Sequence, residues 1–426
     1  MSYQLKRDNI GNGIFFNSIN DSKFKHNRIS VNFILPLSEE TASQNAIVPF
    51  LLRRGHKSCP DFTKLNEKLC DLYGAVLDAD VGKYGGYQVL EISIKSIDDR
   101  FAIENENLIE ESARLLSSVV LEPKITDGVF DEEDIKLEKQ NIIDTIESEI
   151  NDKRTYAISR CISEMCKGEA IAVKKYGSRE KAEAITSKTA AEAYGSIIKS
   201  SLIEIMFTGS GNAEIAKEIF KKSFAELKRT PVAYAPVELK YSADKINNIT
   251  DAMEELSQSK LVMGFRTGRT DDAKQLNSIR LMVALFGGTP FSLLFQNVRE
   301  KLSLCYYCAA RFDRFTNIML VDSGILAENK EKAYSEILNQ LDALKKGSFT
   351  DDELQAARLA VQNSLKSVSD SLDGIEDWYM TQLLYNTQVS PVDDARMFDD
   401  ITKQDIINAA NAVTLDTVYF LKGEEK

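Results

Sequence analysis

The sequence predicts an α+β chain made by tandem duplication of a roughly 200-residue unit, each copy a mostly antiparallel sheet covered by helices. Three stretches recur in the same order and at nearly one offset. RISVNFILPL from Arg28 matches SKLVMGFRTG from Ser259, each reading as a strand near the start of its half. GVFDEEDIKLEKQNIIDTIES from Gly128 matches GSFTDDELQAARLAVQNSLKS from Gly347. In both, a Phe precedes an acidic cluster suited to a helix N-terminus, where the backbone amides carry partial positive charge. ITSKTAAEAYGSIIKSSLIEIMFTGS from Ile185 matches ITKQDIINAANAVTLDTVYFLKG from Ile401: a helix opening on Thr and a charge, one buried strand, then Gly. One such match is weak; three in register argue for duplication.

The elements follow in order: strands, helix, helix, strands, long helices, final strand. In DFTKLNEKLCDLYG, Phe62, Leu65, Leu69 and Leu72 fall on one helical face, and Gly74 is placed to end the helix. VLDADVGKYGGYQVLEISIKS reads as two strands joined at Gly85-Gly86. TPVAYAPVELKYSADKINN has no helical period and holds two of the eight prolines, so it reads as an extended linker. The division is a unit over 1–228, a linker over 229–248 and a second unit over 249–426. In LLFQNVREKLSLCYYCAARFD, from Leu293, apolar helical spacing gives way after Ser303 to a strand pattern. Arg299 closes the helix and Tyr306 opens the strand.

Bulk properties exclude some functions. The net charge of −12 argues against nucleic-acid or anionic-membrane partners. No run of about 18 apolar residues exists to span a membrane, and the N-terminus lacks the apolar core of a signal peptide, so a cytoplasmic location is expected. The six cysteines are then expected as reduced thiols. With only two histidines, His26 and His56, a site needing several His ligands or a His base can hardly be built; both stand in polar or basic stretches and read as surface residues.

Other candidates have bland readings. Cys305 and Cys308 form a CxxC inside a strand pattern, with no second pair to complete a zinc knuckle. Gly209-Ser-Gly211 lacks the rest of a phosphate loop. Asp131–Asp134 and Asp351–Glu353 read as helix starts rather than metal sites.

GGTPFSLLFQNVREKLSLCYY resembles the second-domain signature of the pitrilysin/insulinase-type zinc peptidases, the inverzincin group. Gly287, Gly288, Leu294, Phe295, Arg299, Glu300, Lys301, Leu304 and Tyr306 match it; Ser303 stands where the family usually has Gly. The resemblance implies a duplicated α+β chain in which Arg299 and Tyr306 contact a peptide inside a chamber near the zinc. It also implies an HxxEH helix and a distal Glu in the first unit, as zinc ligands and general base. Aligned on Gly55, the motif positions are Ala46, Pro49 and Phe50, and Thr145 takes the distal ligand position. None of these binds zinc. Glu138 matches the family's earlier acid, Glu147 lies close by, and His56 lies beyond the motif.

Loss of the zinc ligands with retention of Arg299 and Tyr306 implies the non-catalytic subunit of a heterodimeric zinc peptidase. Such a chain is inactive alone, carries no cofactor, and completes in trans the site of an HxxEH homologue that holds the zinc. The alternative is a peptide-binding or structural core module with no role in proteolysis, the pair being a relic. An autonomous hydrolase of another chemistry is disfavoured by the missing acid–base groups. Self-association of the isolated chain as a homodimer is compatible with either reading. The substrate peptide is not legible.

Overall fold

In the computed structural model, residues 4–232, 238–254, 256–270 and 272–424 are described. The strands are β1 (Lys6–Gly11), β2 (Ile14–Asn20), β3 (His26–Pro36), β4 (Val76–Tyr84), β5 (Tyr87–Ile97), the short pair β6 (Ile125–Thr126) and β7 (Val129–Phe130), β8 (Leu202–Gly209), β9 (Asn247–Met253), β10 (Ser259–Arg266), β11 (Cys305–Asp313), β12 (Ile318–Ile325) and β13 (Thr414–Gly423). Two large sheets form, in the orders β1-β2-β8-β3-β5-β4 and β11-β12-β10-β13-β9, beside the two-stranded β6-β7. Read in reverse, the second matches the first strand for strand, with β1 the extra member. Each large sheet has one parallel pair, β2 with β8 and β9 with β13, and is otherwise antiparallel. The duplicated α+β architecture expected from the sequence is therefore present.

The first compact unit comprises residues 1–147, 173–236 and 368–390. Its helices include α1 (Ala42–Leu52), α2 (Phe62–Asp71), α3 (Leu108–Leu121), α4 (Glu132–Ser148), α6 (Arg179–Glu183), α7 (Ser187–Ser200) and α8 (Ala213–Phe224). They close one sheet face over a core that includes Val31, Ile92, Leu116, Ile205 and Phe220. Each such apolar side chain contributes roughly 1.5–3 kcal/mol on burial. Leu65, Leu69 and Leu72 join this core, but Phe62 is 52% exposed, because it opens α2 one turn short of the packed face. Gly74 has φ +72 and Gly85 φ +57, so the helix end and the β4–β5 hairpin both use the left-handed backbone glycine permits. Arg229, where the predicted linker begins, is buried, donating to the carbonyls of Ile198, Asn12, Gly13 and Ser201. Of that linker, residues 233–237 lie outside the described residues, and β9 begins at Asn247.

The opposite face of this sheet is covered by a helix from the second half, α12 (Leu372–Leu384), with Ile375, Tyr379 and Met380 against Ile19, Ile34, Val89 and Met206. Beside them lies a buried ionic cluster. Arg28 pairs with Glu91 at 2.5 Å, with Asp373 at 2.9 Å and with Glu376, which also accepts from Ser30. Burial pushes Glu376 up to about 7, opposed by Arg28 and reinforced by Glu91. A free glutamate titrates near 4.5, so between about 4.5 and 7 the native chain holds a proton that the unfolded chain has released. Stability therefore falls as pH rises through that window and levels off above it. Glu376→Gln is expected to remove most of this slope, roughly 1–3 kcal/mol, in thermal melts from pH 4.5 to 8. An identical slope in the variant would show that Glu376 is not its source.

The second unit comprises residues 148–172, 237–367 and 391–426. It takes α5 (Lys153–Met165) from the first half, the counterpart of α12; Ala157, Cys161 and Met165 pack on Val262, Ile318, Leu320, Tyr419 and Leu421. Gly264 lets α5 pack closely: a Cβ would lie 2.5 Å from the Met165 sulfur, which would have to shift. The remaining helices are α9 (Ala273–Val283), α10 (Lys330–Lys345), α11 (Asp351–Ser367), α13 (Pro391–Met397) and α14 (Lys403–Asn411). The repeat extends to the caps. Thr186 and Thr189 form a capping box on α7, and Thr402 and Asp405 form one on α14. Asp131 caps α4 through the amides of Glu133 and Asp134, and Thr350 with Glu353 caps α11, so both acidic runs are helix starts. The repeated Phe130 and Phe349 are both buried.

Candidate functional site

The corner between Leu293 and Asp313 is built from an unusual backbone. The spacing predicts an α-helix; Ala284–Gly288 and Phe295–Lys301 are instead wound as π-helix, whose wider turns often mark functional sites. Leu294 and Val298 are buried while Arg299 and Lys301 face outward. Gly287 fits because a Cβ there would lie 2.7 Å from the Ala310 amide nitrogen on β11. The turn into β11 is pinned by Ser303 N–H to the Arg299 carbonyl at 3.1 Å and Leu304 N–H to the Val298 carbonyl at 3.1 Å. Ser303 has φ +50, which accounts for the family's glycine at this position. A residue with a Cβ pays about 1–2 kcal/mol in that conformation.

Tyr306 sits on a β-bulge. Cys305 pairs with Ile325 and Tyr307 with Gly324, leaving Tyr306 without a partner on β12. Its side chain is 68% exposed. The Arg299 side chain is 42% exposed, lies beside Glu300 at 3.5 Å, and holds its guanidinium 4.6 Å from the centre of the Phe295 ring. The π-wound segment packs on β11, so the two residues occupy the two arms of one pinned corner. Both present hydrogen-bond donors outward: a planar guanidinium and a phenol, suited to a peptide carbonyl or to the oxyanion it becomes.

Among the described residues of the first unit, the positions expected to hold zinc carry other side chains. Ala46 is fully buried, Pro49 lies inside α1 and Phe50 packs against the core. Thr145 is exposed and donates its hydroxyl back to the Asn141 carbonyl at 2.7 Å. The nearby carboxylates are already engaged. Glu138 is buried, 3.1 Å from Arg54, which also holds Asp134 at 2.7 Å. Burial opposes the Arg54 charge, but its hydrogen bonds to the Asp134 and Glu138 carboxylates, and their charges, outweigh it and raise its pKa. Glu147 pairs with Arg179. These residues do not fit zinc, and among the described residues no group of three His, Cys, Asp or Glu is arranged to hold a metal. The sequence reading missed this use of Arg54 and Arg179; a carboxylate with a distant basic partner leaves no local signal.

His56 corrects the surface reading. It is only 4% exposed, its backbone bridges Cys59 and Pro123, and burial lowers its pKa. His26 is exposed, as expected. All six cysteines are free thiols, and no described helix is long and apolar enough to cross a membrane.

The chain is thus a duplicated α+β fold with an outward corner bearing Arg299 and Tyr306 in its second unit, and with Ala46, Pro49, Phe50 and Thr145 where the family resemblance expects metal ligands in its first. Residues 184–361 match the family model described as the peptidase M16 inactive domain. The probable inactive metalloprotease YmfF of Bacillus subtilis is 29% identical over all of this chain and 99% of its own length. An uncharacterized zinc protease of Rickettsia bellii is 24% identical over 38% of this chain and 39% of its own length. A conserved protein from Enterococcus faecalis superposes with a TM-score of 0.89 at 25% identity, covering 99% of each chain. A peptidase M16 inactive domain from Pseudomonas fluorescens gives 0.78 at 17% identity, covering 99% of this chain and 98% of its own. These likenesses support the resemblance of this chain to the pitrilysin-type M16 peptidases and to non-catalytic members among them.

Proposed function

We propose that this chain is the non-catalytic subunit of a heterodimeric zinc peptidase, supplying Arg299 and Tyr306 in trans to the active site of a homologous subunit that carries HxxEH and its zinc. The observation that carries this reading is the contrast between the two units. The corner bearing Arg299 and Tyr306 keeps a glycine that only close packing requires and a bulge that turns Tyr306 outward, while the metal positions have become core and helix-surface residues. In the proposed complex the partner's zinc activates water. Arg299 binds the carbonyl of an unstructured peptide, and the Tyr306 hydroxyl donates to the oxygen as it gains charge. Neither residue moves a proton; both act by position and charge.

Tyr306→Phe is the mildest test. It deletes one donor from an exposed side chain and is expected to lower peptide hydrolysis by the mixed complex about 10²-fold, mainly in kcat, without changing assembly. Equal turnover by the variant complex would remove the proposed role and favour a peptide-binding or structural function.

A further inference from the structure

The bulge that turns Tyr306 outward also changes the relation of its neighbours. In a regular strand, residues three apart point to opposite faces. Here Cys305 is matched to Ile325 and Cys308 to Ser323, so three steps along β11 are matched by two along β12. Ile325 and Ser323 lie on one face, and Cys305 and Cys308 therefore share it. The bulge shortens the span as well. Two antiparallel steps cover about 6.8 Å against about 10 Å for three, which brings the pair to the long end of the roughly 4.4–6.8 Å that disulfides bridge between Cα atoms. Ser323, the β12 partner of Cys308, donates its hydroxyl to the Tyr307 carbonyl between the two cysteines at 2.9 Å. Cys305 is partly exposed and Cys308 is buried behind it.

We propose that Cys305 and Cys308 are a redox-active dithiol, oxidised to an intramolecular disulfide by low-molecular-weight disulfides. Cys305 is the attacking sulfur: the Cys308 thiol beside it favours its thiolate over the opposing effect of burial, and Ser323 and Arg299 add to this. Cys308 shifts the other way, through Cys305 and by burial. In the first step the Cys305 thiolate attacks one sulfur of R–S–S–R, forming Cys305–S–S–R and expelling RS⁻, which takes up a proton. In the second, Cys308 gives its proton to solvent and attacks the Cys305 sulfur, expelling the second RS⁻. Two protein thiols lose two electrons in all, and one small disulfide becomes two thiols. The new bond spans the bulge and holds Tyr306 in one orientation.

The test treats the full chain with oxidised glutathione, quenches with an alkylating reagent, and measures by mass spectrometry the tryptic peptide Leu302–Arg311, which carries both cysteines. The expected result is joint loss of both alkylation sites, restored by reductant, while the buried Cys161 and Cys166 are unchanged. Cys308→Ser is expected to stop at a glutathione adduct on Cys305. Full alkylation of both cysteines in the treated wild type, or a lasting adduct there without the internal bond, would overturn the proposal; neither readout requires the variant to fold.

Discussion

Arg299→Ala is expected to lower peptide hydrolysis by the mixed complex about 10²–10³-fold, the range for removing one preorganised donor from a developing oxyanion. The side chain is partly exposed, stacks on its own segment's Phe295 and pairs with its neighbour Glu300, so truncation leaves no buried charge. Stability is expected to change by less than about 0.5 kcal/mol, and co-purification with the partner to persist. Arg299→Lys is expected to recover only part of the rate, since an ammonium keeps the charge but not the planar fork. Rates of each variant with saturating partner, beside melting curves of the isolated chains, separate a role at the substrate from a structural one.

The second large effect is structural. Arg266, at the end of β10, is fully buried in the second unit. Its guanidinium reaches Glu169 at 2.7 Å, Asp416 at 3.0 Å, the Met165 carbonyl at 3.0 Å and the Lys240 carbonyl at 3.2 Å. These contacts join α5's C-terminal end to β10 and to the start of β13 within that unit. Arg266→Ala would leave two carboxylates and two carbonyls facing a cavity. Removing one partner of such a buried network costs about 3–5 kcal/mol, and thermal or urea unfolding checks it. A loss below about 1 kcal/mol would show that the network is not what ties α5 to the sheet.

What the sequence made legible was local. The caps at Thr186 and Thr402, the Gly85-Gly86 hairpin and the Phe-plus-acid helix starts each depend on a few adjacent residues, and the recurrence of the capped helices and of the strands at Arg28 and Ser259 exposed the duplication. The expectation for Arg299 and Tyr306 came from a contiguous signature, and the structure adds that both lie on one exposed, pinned corner. The rest depends on partners far along the chain. No local pattern tells that α5 and α12 each complete the other half's sheet. The bulge at Tyr306 exists only in register with β12. His56 is buried by segments at Cys59 and Pro123, and its basic neighbours gave the opposite impression. Ser303 shows both sides: its departure from the family's glycine was visible, but its positive φ required coordinates.

The most direct measurement is hydrolysis of an unstructured peptide by this chain alone, by a homologous HxxEH chain alone, and by mixtures of increasing ratio, each with and without chelator. The account predicts activity in the mixture only, saturating near one-to-one and abolished by chelator. A partner that is equally active without this chain, or a mixture with no activity, would contradict it.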